Sequence, residues 1–326
     1  MAPSSAEGDL PRGPVIALSG GVGGAKLALG LSHLDLHQNL LVVANVGDDF
    51  EHLGLTICPD LDTVTYTLAG LSDQSKGWGR ADEGWRFMAA LQQLGGESWF
   101  NLGDGDLALH VLRTGALAAG ENLTAVTRAV SRHLGITARV LPMSDDPVRT
   151  MIQTTDGALA FQHYFVRDRC EPVVTGFVFD GIAAARPQPG FMAALADPDL
   201  RAIIITPSNP FVSIDPILSL PGVRDAVRAA PAPVIAVSPI VAGRAIKGPA
   251  AKMMAELGMP STALAVAQHY GDLLDGFVLD HGDQDQADAV AALGVRPMVT
   301  KTVMESLEDR VGLARDVLAL AQELGA

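Results

Sequence analysis

The chain has 326 residues, 48% hydrophobic and 18% charged, a composition that gives ample core and excludes a disordered protein. Its 37 acidic and 23 basic residues give a formal net charge of −14, which excludes a general nucleic-acid or anionic-membrane surface. No apolar run reaches membrane-spanning length, and Cys58 and Cys170 make neither a metal spacing nor a disulfide framework, so a reduced cytoplasmic setting is expected.

Met1–Gly13 is small, polar and Pro-containing and reads as a loose tail, not a signal peptide. Residues 14–326 are then expected to form one domain. Val15–Leu18 is a short apolar run of strand type, Gly20, Gly21, Gly23 and Gly24 punctuate it around Val22, and Ala25–Leu31 reads as a helix. Strand, glycine turn and helix N-terminus make a place for a phosphate, because glycine admits close approach and the first-turn N–H groups favour negative charge. Lys26 adds a cation. The turn is not a Walker A loop, since Lys26 lies between Ala25 and Leu27 with no hydroxyl for magnesium. It also lacks the third glycine position of the dinucleotide fingerprint. Such a turn serves close packing as readily as ligand binding.

Leu40–Ala44 is a continuous apolar run, as expected of a strand buried on both faces of a parallel sheet. It ends in Asn45-Val46-Gly47-Asp48-Asp49, and Asp60 and Asp62 follow directly after Pro59. Carboxylates at loop ends beside a phosphate site suit Mg²⁺. The alternative is that these are turn formers, with Asp62 capping a helix that begins at Thr63. From Asp73 to about His133 the spacing is helical, which predicts an insertion at about 73–135. Trp78, between two glycines, either covers a planar ligand or tucks under a helix. Asn101–Asp106 forms a second polar loop, with Asp106 a candidate cap for Leu107–Leu112.

Around Thr150–Phe165 the period changes to two, and Asp156-Gly157 marks a hairpin. The charges Arg167, Asp168, Arg169 and Glu171 read as its solvated edge. Ala202–Thr206 and Val234–Val237 are further strands ending in Pro207-Ser208-Asn209-Pro210 and Ser238-Pro239-Ile240. Ligands gather at the carboxyl ends of such strands, and Ser208 and Asn209 offer groups that read a base or ribose. Arg244 and Lys247 either serve such a ligand or are surface charge. Gly276–Leu279 is a strand, and Glu305–Leu324 is a closing helix with Leu307, Val311, Ala314, Val317 and Leu318 on one face. The alternation predicts an α/β, Rossmann-like, mostly parallel sheet with helices on both faces, plus a helical insertion and a β-hairpin excursion.

Seven segments resemble one family, the 2-phospho-L-lactate transferases of coenzyme F420 biosynthesis, which act on the deazaflavin Fo. They are SGGVGGAKL (Ser19–Leu27), NVGDD (Asn45–Asp49), ICPDLDTVTYTL (Ile57–Leu68), LGDGDLALH (Leu102–His110), LPMSDDPV (Leu141–Val148), PSNPFVSIDPIL (Pro207–Leu218) and SPIVAGRAIKGPAAKMM (Ser238–Met254). The resemblance implies transfer of a phospho-three-carbon-acid unit from a GDP-linked donor to the ribityl hydroxyl of Fo, with release of GMP. It implies Mg²⁺ held by Asp48 and Asp62, with Asp62 also taking the proton. Gly20, Gly21, Val22, Gly23 and Gly24 would cradle the diphosphate with Lys26 and Lys247 beside it. Ser208 and Asn209 would meet the guanosine. Asp62, Asn101 and Asp104 would border Fo, and Trp78 would cover its ring. A homodimer is a family-level expectation. The family often has Arg between the aspartates of LGDxD, where this chain has Gly105. The transferred acid (2-phospholactate, phosphoenolpyruvate or 3-phosphoglycerate) is not readable from the residues.

Two other readings compete. One is a non-catalytic, nucleotide-sugar-binding metabolic regulator of related fold, against which the settings of Asp48 and Asp62 argue. The other is an ATP-dependent kinase, weakened by the missing Walker A pair.

Overall fold

The computed structural model describes residues 13–73 and 79–325. Seven strands pair in parallel in the order Arg296–Thr300, Gly276–Asp280, Val234–Val237, Ala202–Ile205, Val15–Ser19 (β1), Leu40–Ala44 (β2) and Arg139–Pro142. Every residue of β1, β2, Ala202–Ile205 and Val234–Val237 is buried, so both faces of the sheet's centre are covered. That is why these strands read as unbroken apolar runs and not as alternations.

The chain lays down β1, β2 and Arg139–Pro142 in one direction, then returns to the other side of β1 with Ala202–Ile205. Val15 accordingly has Leu40 as its partner on one side and Ala202 on the other. The order reverses between β1 and Ala202–Ile205, and the loops after these two strands part there to leave a crevice.

Helix Gly21–Ser32 (α1) begins four residues earlier than predicted, because the glycine turn is itself the first helical turn. Helix Pro59–Leu68 (α2) has Pro in its first turn and Cys58 at its N-cap. Asp62 therefore sits inside the helix and does not cap one starting at Thr63. Between β2 and Arg139–Pro142, helices Arg86–Gln93, Asp104–Ala118 and Leu123–His133 occupy the region of helical spacing. Asp106 lies in the first turn of its helix, whose N-cap is Gly103, so the capping role expected for it is not the one it has. Ile57, Met88 and Leu102 form a small apolar centre of their own, apart from the main core.

The hairpin at Asp156-Gly157 is present as Arg149–Thr154 with Gly157–Ala160, and an unpredicted third strand, Val174–Asp180, pairs with the first. Arg167 and Asp168 form an exposed ion pair at the end of a wide helical turn, His163–Arg167, and do not line a strand edge. The closing helix, Leu307–Leu324, starts with a reciprocal Ser306–Asp309 capping box. Its buried face is rotated from the expected one: Leu307 is 44% exposed, while Leu313, Leu320 and Ala321 join Ala314, Val317 and Leu318 inside. Met1–Arg12 lie outside the described residues, whereas Gly13 is buried, and a Cβ there would lie 1.9 Å from the Asp199 carbonyl oxygen. No helix among the described residues is long and apolar enough to cross a membrane.

Candidate active site at the switch point of the sheet

A cavity of about 840 Å³ opens at the crevice, walled by the glycine turn, the loops after β2 and Ala202–Ile205, and the insertion. Gly20, Gly21, Val22, Gly23, Lys26, Asp48, Asp62, Asn101, Ser208, Asn209 and Lys247, all singled out above, line it. Gly24 and Asp104 are not among its walls, and Trp78 lies outside the described residues.

Close packing shapes the glycine turn. The Ser208 hydroxyl accepts from the Gly20 N–H at 3.1 Å and stands 2.6 Å from the Gly20 carbonyl oxygen, to which it donates. A Cβ on Gly23 would lie 2.2 Å from the Pro207 carbonyl oxygen. One on Gly24 would lie 2.4 Å from Ser19 Oγ and 2.6 Å from Ser208 Oγ. Gly24 therefore faces the strands and lets the helix seat on them, while Gly20–Gly23 face the cavity. Asn209 accepts from the Phe211 N–H at 3.0 Å, so Ser208 and Asn209 also hold the loop in shape.

Opposite the turn are four aspartates from two short segments. Asp60 accepts from the Gly21 N–H at 2.5 Å and from Asn45 at 3.0 Å, and burial pushes its carboxyl up to about 6. Asp48 is 5% exposed and takes amide N–H groups from Asn45 (3.4 Å) and Gln162 (3.2 Å). Burial, then the neighbouring carboxylates of Asp60 and Asp49, hold its pKa well above the ordinary range. Asp49 is pushed up to about 7, chiefly by burial, and its Oδ1 has no hydrogen-bond partner.

Asp62 has a different environment. Arg113, at the third turn of the Asp104–Ala118 helix, donates from Nη1 to its Oδ2 at 3.1 Å and from Nη2 to its Oδ1. Burial raises the Asp62 pKa, and Arg113 and then His110 oppose that rise. Burial works against the guanidinium too and is the largest single influence on it, but Asp62, Cys58 and Asp49 together outweigh it and hold the Arg113 pKa up. His110 is 1% exposed, with Nδ1 3.7 Å from Asp62 Oδ2 and Nε2 3.3 Å from Asp106 Oδ2. Tyr66 donates to Asp106 at 2.6 Å. Asp62, Asp106 and His110 lie close enough to share a metal ion.

Asp106 reads in sequence only as a helix cap, and His110 and Arg113 are not singled out there, although the i, i+4, i+7 spacing puts all three on one helix face. Gln162 gave no signal, because only the fold brings it to Asp48. Asp104 accepts from the Phe87 N–H at 3.1 Å and so braces the neighbouring helix. Gly105, where the family often has Arg, donates its N–H to Glu83 at 2.6 Å. Lys26 donates to the Met304 carbonyl oxygen at 2.7 Å, and burial, Arg310 and Lys247 lower its pKa.

The buried carboxylates suit a hard divalent cation. Asp48 has three like-charged neighbours, Asp60, Asp49 and Asp62, while its hydrogen-bond donors are neutral amides. Oxygen ligands beside a phosphate cradle are what Mg²⁺ takes when it also binds substrate phosphates.

The chain matches the sequence profile of the family described as 2-phospho-L-lactate transferase CofD over residues 15–306. It is 42% identical over 317 residues to a phosphoenolpyruvate transferase of Kitasatospora aureofaciens, covering 95% of this chain and 98% of that protein. It is also 42% identical over 316 residues to one of Streptomyces coelicolor, with 95% and 98% covered. The fold is similar to the crystal structure of a UPF0052-family protein of Bacillus halodurans, with TM-score 0.63 and 16% identity over 94% of this chain and 99% of that one. The chain thus belongs to the 2-phospho-L-lactate transferase family and is a transferase of coenzyme F420 biosynthesis.

Proposed function

We propose that the protein transfers a phosphoenolpyruvyl unit from a GDP-linked donor to the terminal ribityl hydroxyl of Fo, releasing GMP. The names of the relatives at 42% identity support enolpyruvate among the three acids. The observation that carries the site reading is the meeting, in one cavity, of the glycine turn with the buried Asp48–Asp62 group.

The hydroxyl oxygen attacks the phosphorus that bears the three-carbon acid, the bond from that phosphorus to the GMP oxygen breaks, and GMP leaves with the electron pair. Positioning and charge neutralisation are most of the work in such a displacement. Gly20–Gly23 let the diphosphate approach the positive end of α1, with the Gly20 and Gly21 N–H groups held by Ser208 and Asp60 and those of the following helical turn facing the ligand. Lys26 and Lys247 stand beside it, and Ser208 and Asn209 flank the guanosine. Asp48 and Asp62 hold Mg²⁺, which when bound offsets diphosphate charge and lowers the hydroxyl's pKa. Asp62, with Arg113 opposing the effect of its burial, receives the hydroxyl proton. Asn101 borders the acceptor. The homodimer and the cytoplasmic setting belong to the same proposal and rest on the family resemblance.

Titration of the protein into Fo, followed by deazaflavin fluorescence with and without GDP and Mg²⁺, tests this reading. Saturable Fo binding that Asp62→Ala weakens is expected. Absence of Fo binding together with tight binding of a nucleotide sugar would return the regulator reading.

A further inference from the structure

We propose that the segment 161–167, which ends in the wide helical turn His163–Arg167, couples the acceptor's planar ring to the carboxylate of Asp48, with Gln162 as the positioning residue. This proposal rests on the Fo-transferase reading given above. Phe161 and Phe165 both line the cavity and lie one above the other on this segment, ring centroids 5.4 Å apart and planes within 7°. Phe165 is 38% exposed and lines a cavity that Ile57, Phe100 and Val166 line as well. These side chains are apolar, whereas the glycine turn, Lys26 and Lys247 of the same cavity suit anions. A planar heteroaromatic ring stacks on the first and a diphosphate on the second.

Gln162 lies between the two rings in sequence and lines the same cavity. It is 5% exposed and donates its amide to Asp48 Oδ2 at 3.2 Å, across 114 residues of chain. Asp48 has only one other side-chain donor, Asn45, among the described residues. A ring settling on Phe161 and Phe165 fixes the segment, and the fixed segment holds the Gln162 amide on Asp48. The occupied acceptor site and the cation-binding carboxylate therefore favour one another, and the coupling is reciprocal. Outer partners of metal-binding carboxylates typically change metal affinity by about 10–100-fold.

Fo affinity is measured by fluorescence titration of the full chain in EDTA and again in Mg²⁺, for the wild type, Gln162→Leu and Phe165→Ala. The wild type is expected to bind Fo about 5-fold or more tightly in Mg²⁺. Gln162→Leu keeps the EDTA affinity within about twofold and loses the Mg²⁺ enhancement, a pattern that general loosening of the fold does not give. Phe165→Ala weakens Fo about tenfold in EDTA, diminishes the Mg²⁺ enhancement as well, and leaves GDP binding unchanged. An undiminished Mg²⁺ enhancement in Gln162→Leu overturns the tether, and unaltered Fo affinity in Phe165→Ala overturns the platform. Failure of the wild type to bind Fo at all overturns the acceptor assignment itself, and this proposal with it.

Discussion

Arg113 reaches from the Asp104–Ala118 helix to Asp62 in the first turn of α2 and engages both of its carboxylate oxygens. The pair joins the helical insertion to the central sheet's loops at the cavity wall. The guanidinium also opposes the rise that burial gives the Asp62 pKa.

Loss of Arg113 leaves that carboxylate buried without its cation. Arg113→Met is expected to lower stability by about 3–5 kcal/mol, measured by denaturant unfolding. Arg113→Lys should recover little, because a point charge does not reproduce the two-pronged contact. Wild-type stability in either variant would show that the pair carries no structural weight.

Ser208 binds the loop after Ala202–Ile205 to the glycine turn through both polar groups of Gly20. Ser208→Ala strands a buried N–H at a cost of about 1–3 kcal/mol. The loss should appear as roughly tenfold weaker GDP binding in calorimetry. Equal GDP affinity in the variant would mean that the cradle does not depend on this clamp.

Gly24 and Gly115 are both helical, but only the first is crowded. Gly24→Ala would drive a methyl into Ser19, Thr206 and Ser208, whereas a Cβ at Gly115 meets nothing within 4 Å. The first change is expected to cost about 1–3 kcal/mol and the second to gain about 0.5–1 kcal/mol. Thermal unfolding of the two variants compares them directly.

The buried carboxylates also set a pH dependence. Asp49, pushed up to about 7, binds its proton more tightly folded than unfolded. Its contribution to stability is thus present at acid pH and lost as pH rises from about 4 through about 7. In EDTA the melting temperature should fall between roughly pH 4 and pH 7, and Asp49→Asn should reduce that fall. A steeper fall in Asp49→Asn would contradict the assignment.

The sheet's centre was legible because burial on both faces leaves an unbroken apolar run: Leu40–Ala44 and Val234–Val237 have the predicted bounds. The outer strands were not. Arg139–Pro142 and Arg296–Thr300 each begin with Arg and are not fully buried, so they lack that signature. The cavity residues supplied by the glycine turn and by the loops after β2 and Ala202–Ile205 follow from local pattern and from the rule that places ligands at strand ends. Arg113 and Gln162 do not, since their partners are 51 and 114 residues away and only the packed insertion and hairpin bring them together. Asp104, expected at the ligand, accepts from the Phe87 backbone, and Gly24 packs against the hydroxyls of Ser19, Thr206 and Ser208.

Turnover with a synthetic GDP-linked enolpyruvate donor, Fo and Mg²⁺, read by chromatography of GMP and of the Fo phosphodiester, tests the central role of Asp48 and Asp62 most directly. Wild-type protein should release one GMP per Fo converted, EDTA should stop the reaction, and Asp62→Asn and Asp48→Asn should each slow it by about 10²-fold or more. Wild-type turnover by Asp62→Asn at saturating substrates, or GMP release without consumption of Fo, would contradict it.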